Sequence, residues 1–118
     1  MLKQTLAAAG VVLALTTPSA QSDARAQAQA QVEFGIAVAQ RGLWKEAMYR
    51  WERAVNLDPS YAAAWNNLGI AYEHEGELDK ARASYERAIE LEPNNTFIKQ
   101  NYELFKEIND RTTRPDSQ

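Results

Sequence analysis

From residue 28 to residue 110 apolar positions recur at spacings of three and four, the period of an amphipathic helix, and glycine and proline interrupt them at regular intervals. The pattern predicts five helices. The first covers about 28–41, with Val32, Phe34, Gly35, Val38 and Ala39 as its apolar set, and Gly42 ends it. The second, about 44–57, sets Trp44, Ala47, Met48, Trp51, Ala54 and Val55 on one stripe until Asp58-Pro59 stops it. Ser60 is the expected N-cap of the third, about 61–75, which carries Trp65, Leu68, Gly69, Ala71 and Tyr72 and closes at Gly76. The fourth, about 78–91, shows Leu78, Ala81, Tyr85, Ala88 and Ile89. After Pro93-Asn94, Asn95 is the expected cap of a fifth helix over 96–110, with Phe97, Ile98, Tyr102, Leu104, Phe105 and Ile108. Before the first helix, the stretch 21–31 (QSDARAQAQAQ) is rich in good helix formers, with Ser22 or Asp23 as a cap; it is expected to be frayed at its start and helical from about Ala28. Residues 111–118 are polar, contain Pro115 and are expected to be a disordered tail.

These helices repeat. Residues 28–61 and 62–95 match at a spacing of 34, through Ala28/Ala62, Gly35/Gly69, Ile36/Ile70, Ala37/Ala71, Gly42/Gly76, Ala47/Ala81, Glu52/Glu86, Arg53/Arg87, Ala54/Ala88, Leu57/Leu91 and Pro59/Pro93. A fixed period of this length marks stacked helical units, none of which can bury its apolar flank without a neighbour. Gly35 and Gly69 allow the first helix of each pair to approach its partner, where Ala47 and Ala81 stand opposite. Ala54 and Ala88 leave room for the next unit, and Trp44/Leu78 and Trp51/Tyr85 are expected to fill the space between layers. The segment 96–110 has no partner helix after it and reads as a terminal cap.

The second copy reads Trp65-x-x-Leu68-Gly69-x-x-Tyr72, then Ala81-x-x-x-Tyr85, Ala88 and Pro93. That resembles the tetratricopeptide repeat (TPR) family, with Tyr85 where its pattern more often has Phe. The first copy departs from it, with Gln31, Phe34 and Val38 where the second has Trp65, Leu68 and Tyr72, in keeping with an end of the stack. The resemblance covers about 28–110 and implies an all-α, right-handed solenoid of antiparallel helix pairs: repeat one at 28–61, repeat two at 62–95, cap at 96–110.

In that family the first helices line a concave groove that takes a peptide or protein partner. Carried over by position, the groove residues are Gln29, Val32, Ile36, Ala39 and Gln40; then Ala63, Asn66, Ile70, Glu73 and His74; then Phe97, Gln100, Leu104, Glu107 and Ile108. The core of this site is Val32, Ile36, Gln40, Asn66, Ile70, Glu73, His74, Gln100 and Leu104. Asn66 is the better placed of the adjacent pair to bond an extended partner backbone, and Asn67 the better placed for a structural bond. The subclass that grips a C-terminal carboxylate uses basic groove residues, whereas Val32 and Ile36 stand at the matching places here. An apolar or amphipathic segment is the better-matched ligand.

Composition narrows the reading further. The formal charge of −3 is spread over both signs with no basic run, which argues against a nucleic-acid partner. There is no cysteine, so disulfides and thiolate metal sites are excluded. His74 is the sole histidine and sits among Glu73, Glu75, Glu77 and Asp79, a run that reads as a solvated face; with no further ligands of the right type it is a rim residue without chemistry. No nucleophile set, phosphate loop or dinucleotide turn occurs, so neither cofactor nor catalysis is expected.

The beginning of the chain has a separate character. Lys3 precedes the uncharged run Leu6–Leu15, and Thr16-Thr17-Pro18-Ser19-Ala20 breaks it, the order of a secretory signal peptide over 1–26 with cleavage somewhere in 20–26. Ten apolar residues fall short of the roughly 20 that span a bilayer, so no membrane span is expected after cleavage. The expectation is an exported, periplasmic interaction module. The alternatives are a self-associating homodimer of the cell envelope and, furthest from the residues, an enzyme accessory subunit.

Overall fold

The computed structural model describes residues 17–113, and among these every regular element is a helix. They are α1 (Pro18–Gln40), α2 (Trp44–Leu57), α3 (Ala62–His74), α4 (Leu78–Leu91) and α5 (Thr96–Thr113). The run Leu6–Leu15 and residues 114–118 lie outside the described residues. No described helix is long and apolar enough to cross a membrane.

Both predicted glycine stops are left-handed, Gly42 at φ 79° and Gly76 at φ 76°, a conformation in which a Cβ is strained. Asn95 caps α5, its Oδ1 accepting the Ile98 N–H at 3.2 Å. Three boundaries differ from expectation. Helix α1 begins ten residues before Ala28, capped by Thr17, whose Oγ1 accepts the Ala20 N–H at 3.4 Å; Ser22 and Asp23 lie inside it. Pro18 starts this helix rather than breaking it, because the fixed φ of proline suits a first turn and its missing N–H costs nothing there. Ser60 is not a cap: Tyr61 holds that position, and the Ser60 N–H and hydroxyl turn back to Asp58 Oδ1 at 3.0 and 2.6 Å. Helix α5 runs on to Thr113, so the segment 111–113 expected in the tail is helical.

Helices α1 and α2 form one hairpin, α3 and α4 the next, and α5 closes the stack. The first layer of core joins Ala28, Val32, Val38, Ala47, Trp51, Ala54 and Val55 to Ala64, Leu68 and Ala71 of the following hairpin. The second hairpin meets α5 through Ala62, Ala88 and Ile98, and through Ala81, Tyr85 and Phe105. The glycines explain the close approach within each hairpin. A Cβ on Gly35 would overlap the Trp51 indole, and one on Gly69 would lie 3.0 Å from the Tyr85 ring. Each large residue is also tied by its polar atom. Trp51 Nε1 donates to the Val32 carbonyl at 3.1 Å, and the Tyr85 hydroxyl to Glu73 at 2.9 Å. The recurring Glu52 and Glu86 each accept a hydroxyl from the next unit, Tyr72 at 3.1 Å and Tyr102 at 2.8 Å.

Two expected core residues are exposed. Phe34 stands where Leu68 stands in the second repeat, but no helix of the described residues covers it, and the Arg50 guanidinium lies over its ring, at 4.1 Å. Leu78, expected to fill between layers, is also exposed at the start of α4. In α5, Glu103 occupies the place of Gly35 and Gly69, thirty-four residues on. A glutamate there leaves no room for a close helix partner, and with Lys106, Glu107, Asp110 and Arg111 it forms a charged outer flank.

Candidate functional site

The first helices of successive units, α1, α3 and α5, stand side by side and share an inner face. Thirty-four-residue spacing places Ile36, Ile70 and Leu104 at the same point on each. Ile36 and Leu104 are exposed and Ile70 half-buried. Two hollows open on this face. One, of about 260 Å³, is lined by Ile36, Ala39, Gln40, Trp44, Asn67 and Ile70. The other, of about 410 Å³, continues past Ile36 to Tyr61, Ala63, Asn67, Asn95 and Phe97. Glu33 is the one charged side chain that lines them.

The expected site residues divide into three groups. Ile36, Gln40, Ile70 and Leu104 are on the inner face and accessible, and Gln100 is exposed beside Leu104 on α5. Val32 is only 5% exposed, so it forms the floor of the larger hollow rather than a wall. Asn66, Glu73 and His74 are engaged within the fold. Asn66 is buried, and its Oδ1 accepts from Asn101 Nδ2 at 3.1 Å, which ties α3 to α5. Asn66 thus reaches only the larger hollow, with its side-chain oxygen already bonded, whereas Asn67 lines both hollows. Two neighbouring amides on a helix flanked on both sides divide the two sides between them, Asn66 bonding toward α5 and Asn67 facing the smaller hollow beside α1.

Glu73 is not part of a solvated run, because it accepts the Tyr85 hydroxyl. Burial and then this carboxylate hold the Tyr85 phenol well above its ordinary range. Burial and Glu52 likewise push Tyr72 up to about 12. His74 stacks on the Trp44 indole, ring centroids 4.1 Å apart, at the edge of the smaller hollow. Among the described residues no group of three His, Asp or Glu side chains is placed to hold a metal ion.

Trp44, Asn67, Tyr61 and Asn95 line the hollows without having been singled out for them. For Asn67 a signal was present, since Ala63, Asn67, Ile70 and His74 fall at helical spacing. Tyr61 and Asn95 come from inter-helix turns, which a helix-face argument does not reach.

Family comparison agrees with the repeat period. A tetratricopeptide repeat model matches residues 62–95, and a second TPR repeat model matches 35–76, together more than half the chain. The chain belongs to the tetratricopeptide repeat family. No curated protein matches it. TPR units are protein-interaction scaffolds, so the TPR chain is a protein–protein interaction module, and its protein-facing surface has to be read from its own residues.

Proposed function

We propose that this TPR protein is exported and holds an uncharged, apolar or amphipathic segment of a partner protein in the groove between α1, α3 and α5. The observation that carries this is the Ile36–Ile70–Leu104 row beside two hollows in which the polar side chains are amides, one phenol, the indoles and one carboxylate. Apolar side chains of the partner would fill the hollows, and Asn67 and Gln40 would set register by hydrogen bonds to its backbone. A free carboxylate terminus is a poor occupant, because no Lys or Arg lines either hollow.

Export rests on Lys3, the run Leu6–Leu15 and the small residues after it. Arg25 bears on where cleavage would fall. Its guanidinium pairs with Asp58, bonds Ser60 and lies 4.7 Å from the Tyr61 ring centroid. Cleavage after Ala20 or Ser22 keeps this anchor within the chain, cleavage after Ala24 leaves Arg25 as the first residue, and cleavage after Ala26 removes it. Mass spectrometry of the chain recovered from the periplasm tests export and cleavage together; a start at residue 21 or 23 is expected, and an intact residue 1 in the cytosolic fraction alone refutes export. Groove binding is tested by recovery from envelope extract with wild type and an Ile36→Glu, Ile70→Glu double variant. The double variant is expected to lose the partner, and equal recovery by both removes the groove from the account.

A further inference from the structure

Helix α1 has a second face, on the side away from the groove, that the stack leaves uncovered. On α3 the flank turned toward α2 holds Ala64, Leu68 and Ala71, exposed by only 0, 2 and 0%. Thirty-four residues earlier the same positions hold Ala30, Phe34 and Ala37, and all three are exposed, Phe34 by 47%. The residues of a buried inter-repeat contact are thus present and exposed, with the Arg50 guanidinium over Phe34 and no helix of the described residues packed on them. Asp23, Gln27 and Arg41 prolong the face at helical spacing, and all are exposed. Among the described residues neither Asp23 nor Arg41 forms an ion pair.

We propose that this face pairs with the same face of a second copy, the two α1 helices running antiparallel about a two-fold axis beside residue 32. That register sets Asp23 against Arg41 of the second copy, Gln27 against its Ala37, and Phe34 against its Ala30. Each Phe34 then enters the space left by alanine, and the methylene stem of each Gln27 lies across the small Ala37 with its amide at the solvated edge. Two opposite-charge contacts close the ends of the seam. Two-fold pairing is favoured over head-to-tail stacking because the opposite end of the stack is the charged flank of Glu103, Lys106 and Asp110, which offers nothing apolar to Phe34. The seam from Asp23 to Arg41 is about 27 Å long at 1.5 Å per residue. One helix pair of that length is smaller than a standard interface, so the dimer is weak, with a dissociation constant on the order of micromolar. The groove stays open, since Ile36 lies about 200° around α1 from Phe34. This inference goes beyond the groove reading and does not rest on it.

The test is sedimentation of the purified chain from about 0.05 μM to about 1 mM, concentrations that bracket such a constant. Wild type is expected to pass from monomer to dimer. Asp23→Arg and Arg41→Asp should each raise the dissociation constant about tenfold by placing like charges opposite one another, and the double exchange should restore it. Ala30→Glu should leave only monomer, with helical content unchanged in all variants. Monomer throughout for wild type overturns the proposal. So does a dimer indifferent to Ala30→Glu, or a double exchange no better than the single changes. Partner recovery by Ile36→Glu, Ile70→Glu is a separate readout, so failure of the groove reading leaves this result standing.

Discussion

Replacing Gly35 with alanine should weaken the protein, although alanine is the better helix former. Inside a helix the exchange alone contributes about 1 kcal/mol of stability. Against that stands the Trp51 indole, which is 3% exposed and occupies the space the new methyl would need. Forcing a methyl into a packed core costs roughly 1–3 kcal/mol. Moving the indole also breaks its bond to the Val32 carbonyl, which keeps its helical partner, and leaves the buried indole N–H unpaired, about another 1–3 kcal/mol. The net expectation is a loss of about 3 kcal/mol. Gly69→Ala is the internal comparison. Its Cβ would sit 3.0 Å from the Tyr85 ring, a contact that a shift of a few tenths of an ångström relieves, and the Tyr85 hydroxyl can keep Glu73. The expected loss there is about 1 kcal/mol or less. Urea titration followed by helical circular dichroism measures both, provided the slope with denaturant is unchanged. A Gly35→Ala protein as stable as wild type, or more stable than Gly69→Ala, would refute the argument that glycine sets the hairpin spacing.

Other consequences are equally open to measurement. Tyr72 and Tyr85 have raised phenol pKa values, so the stability they carry is complete below about pH 10, the unfolded value, and is lost as pH rises through 12 and beyond. Absorbance near 295 nm should show these two phenols ionising above the free-phenol value of about 10, together with loss of helix; their ionisation at that value with the helices intact would contradict this. Burial raises the Asp58 carboxyl, but its bonds from Ser60 and Arg25 outweigh that and hold it below its ordinary value. Its contribution is therefore present above the ordinary carboxylate range and lost as pH falls through the lowered value. Amide-exchange protection of residues 18–27, relative to the intrinsic rate at each pH, should fall at acid pH and in Arg25→Ala at neutral pH, with α3 unaffected. Gln31 Oε1 is buried with no donor among the described residues, so Gln31→Met should stabilise the protein by about 1 kcal/mol in the same urea assay.

The legible parts of this fold are those fixed by local rules. The bounds of α2 and α4 follow from a stripe that begins after a glycine turn and ends before Asp58-Pro59 or Pro93, and both come out as the spacing predicts. The positive φ at Gly42 and Gly76 follows from the same punctuation. What escaped depends on neighbours. The early start of α1 needs Arg25 to find Asp58, thirty-three residues away, which no local pattern of alanine and glutamine reveals. Phe34 matches a buried Leu68, yet Leu68 owes its burial to the hairpin beside it, and no described helix takes that place beside Phe34. Asn66 and Asn67 are interchangeable as letters on a helix, and only the position of α5 decides which of them is covered. The groove row Ile36–Ile70–Leu104 was readable because it is both periodic and apolar; the turn residues Tyr61 and Asn95 were not, because their place depends on how the hairpins stack.

The central claim is that the face shared by α1, α3 and α5 holds a partner's polypeptide. Backbone amide shifts of the isotope-labelled protein, recorded as a captured partner segment is added, measure this most directly. Changes gathered at Ile36, Gln40, Asn67, Ile70 and Leu104, with the outer sides of α2 and α4 silent, are the predicted result. Changes confined to α2 and α4, with the Ile36–Ile70 row unmoved at saturation, would contradict it.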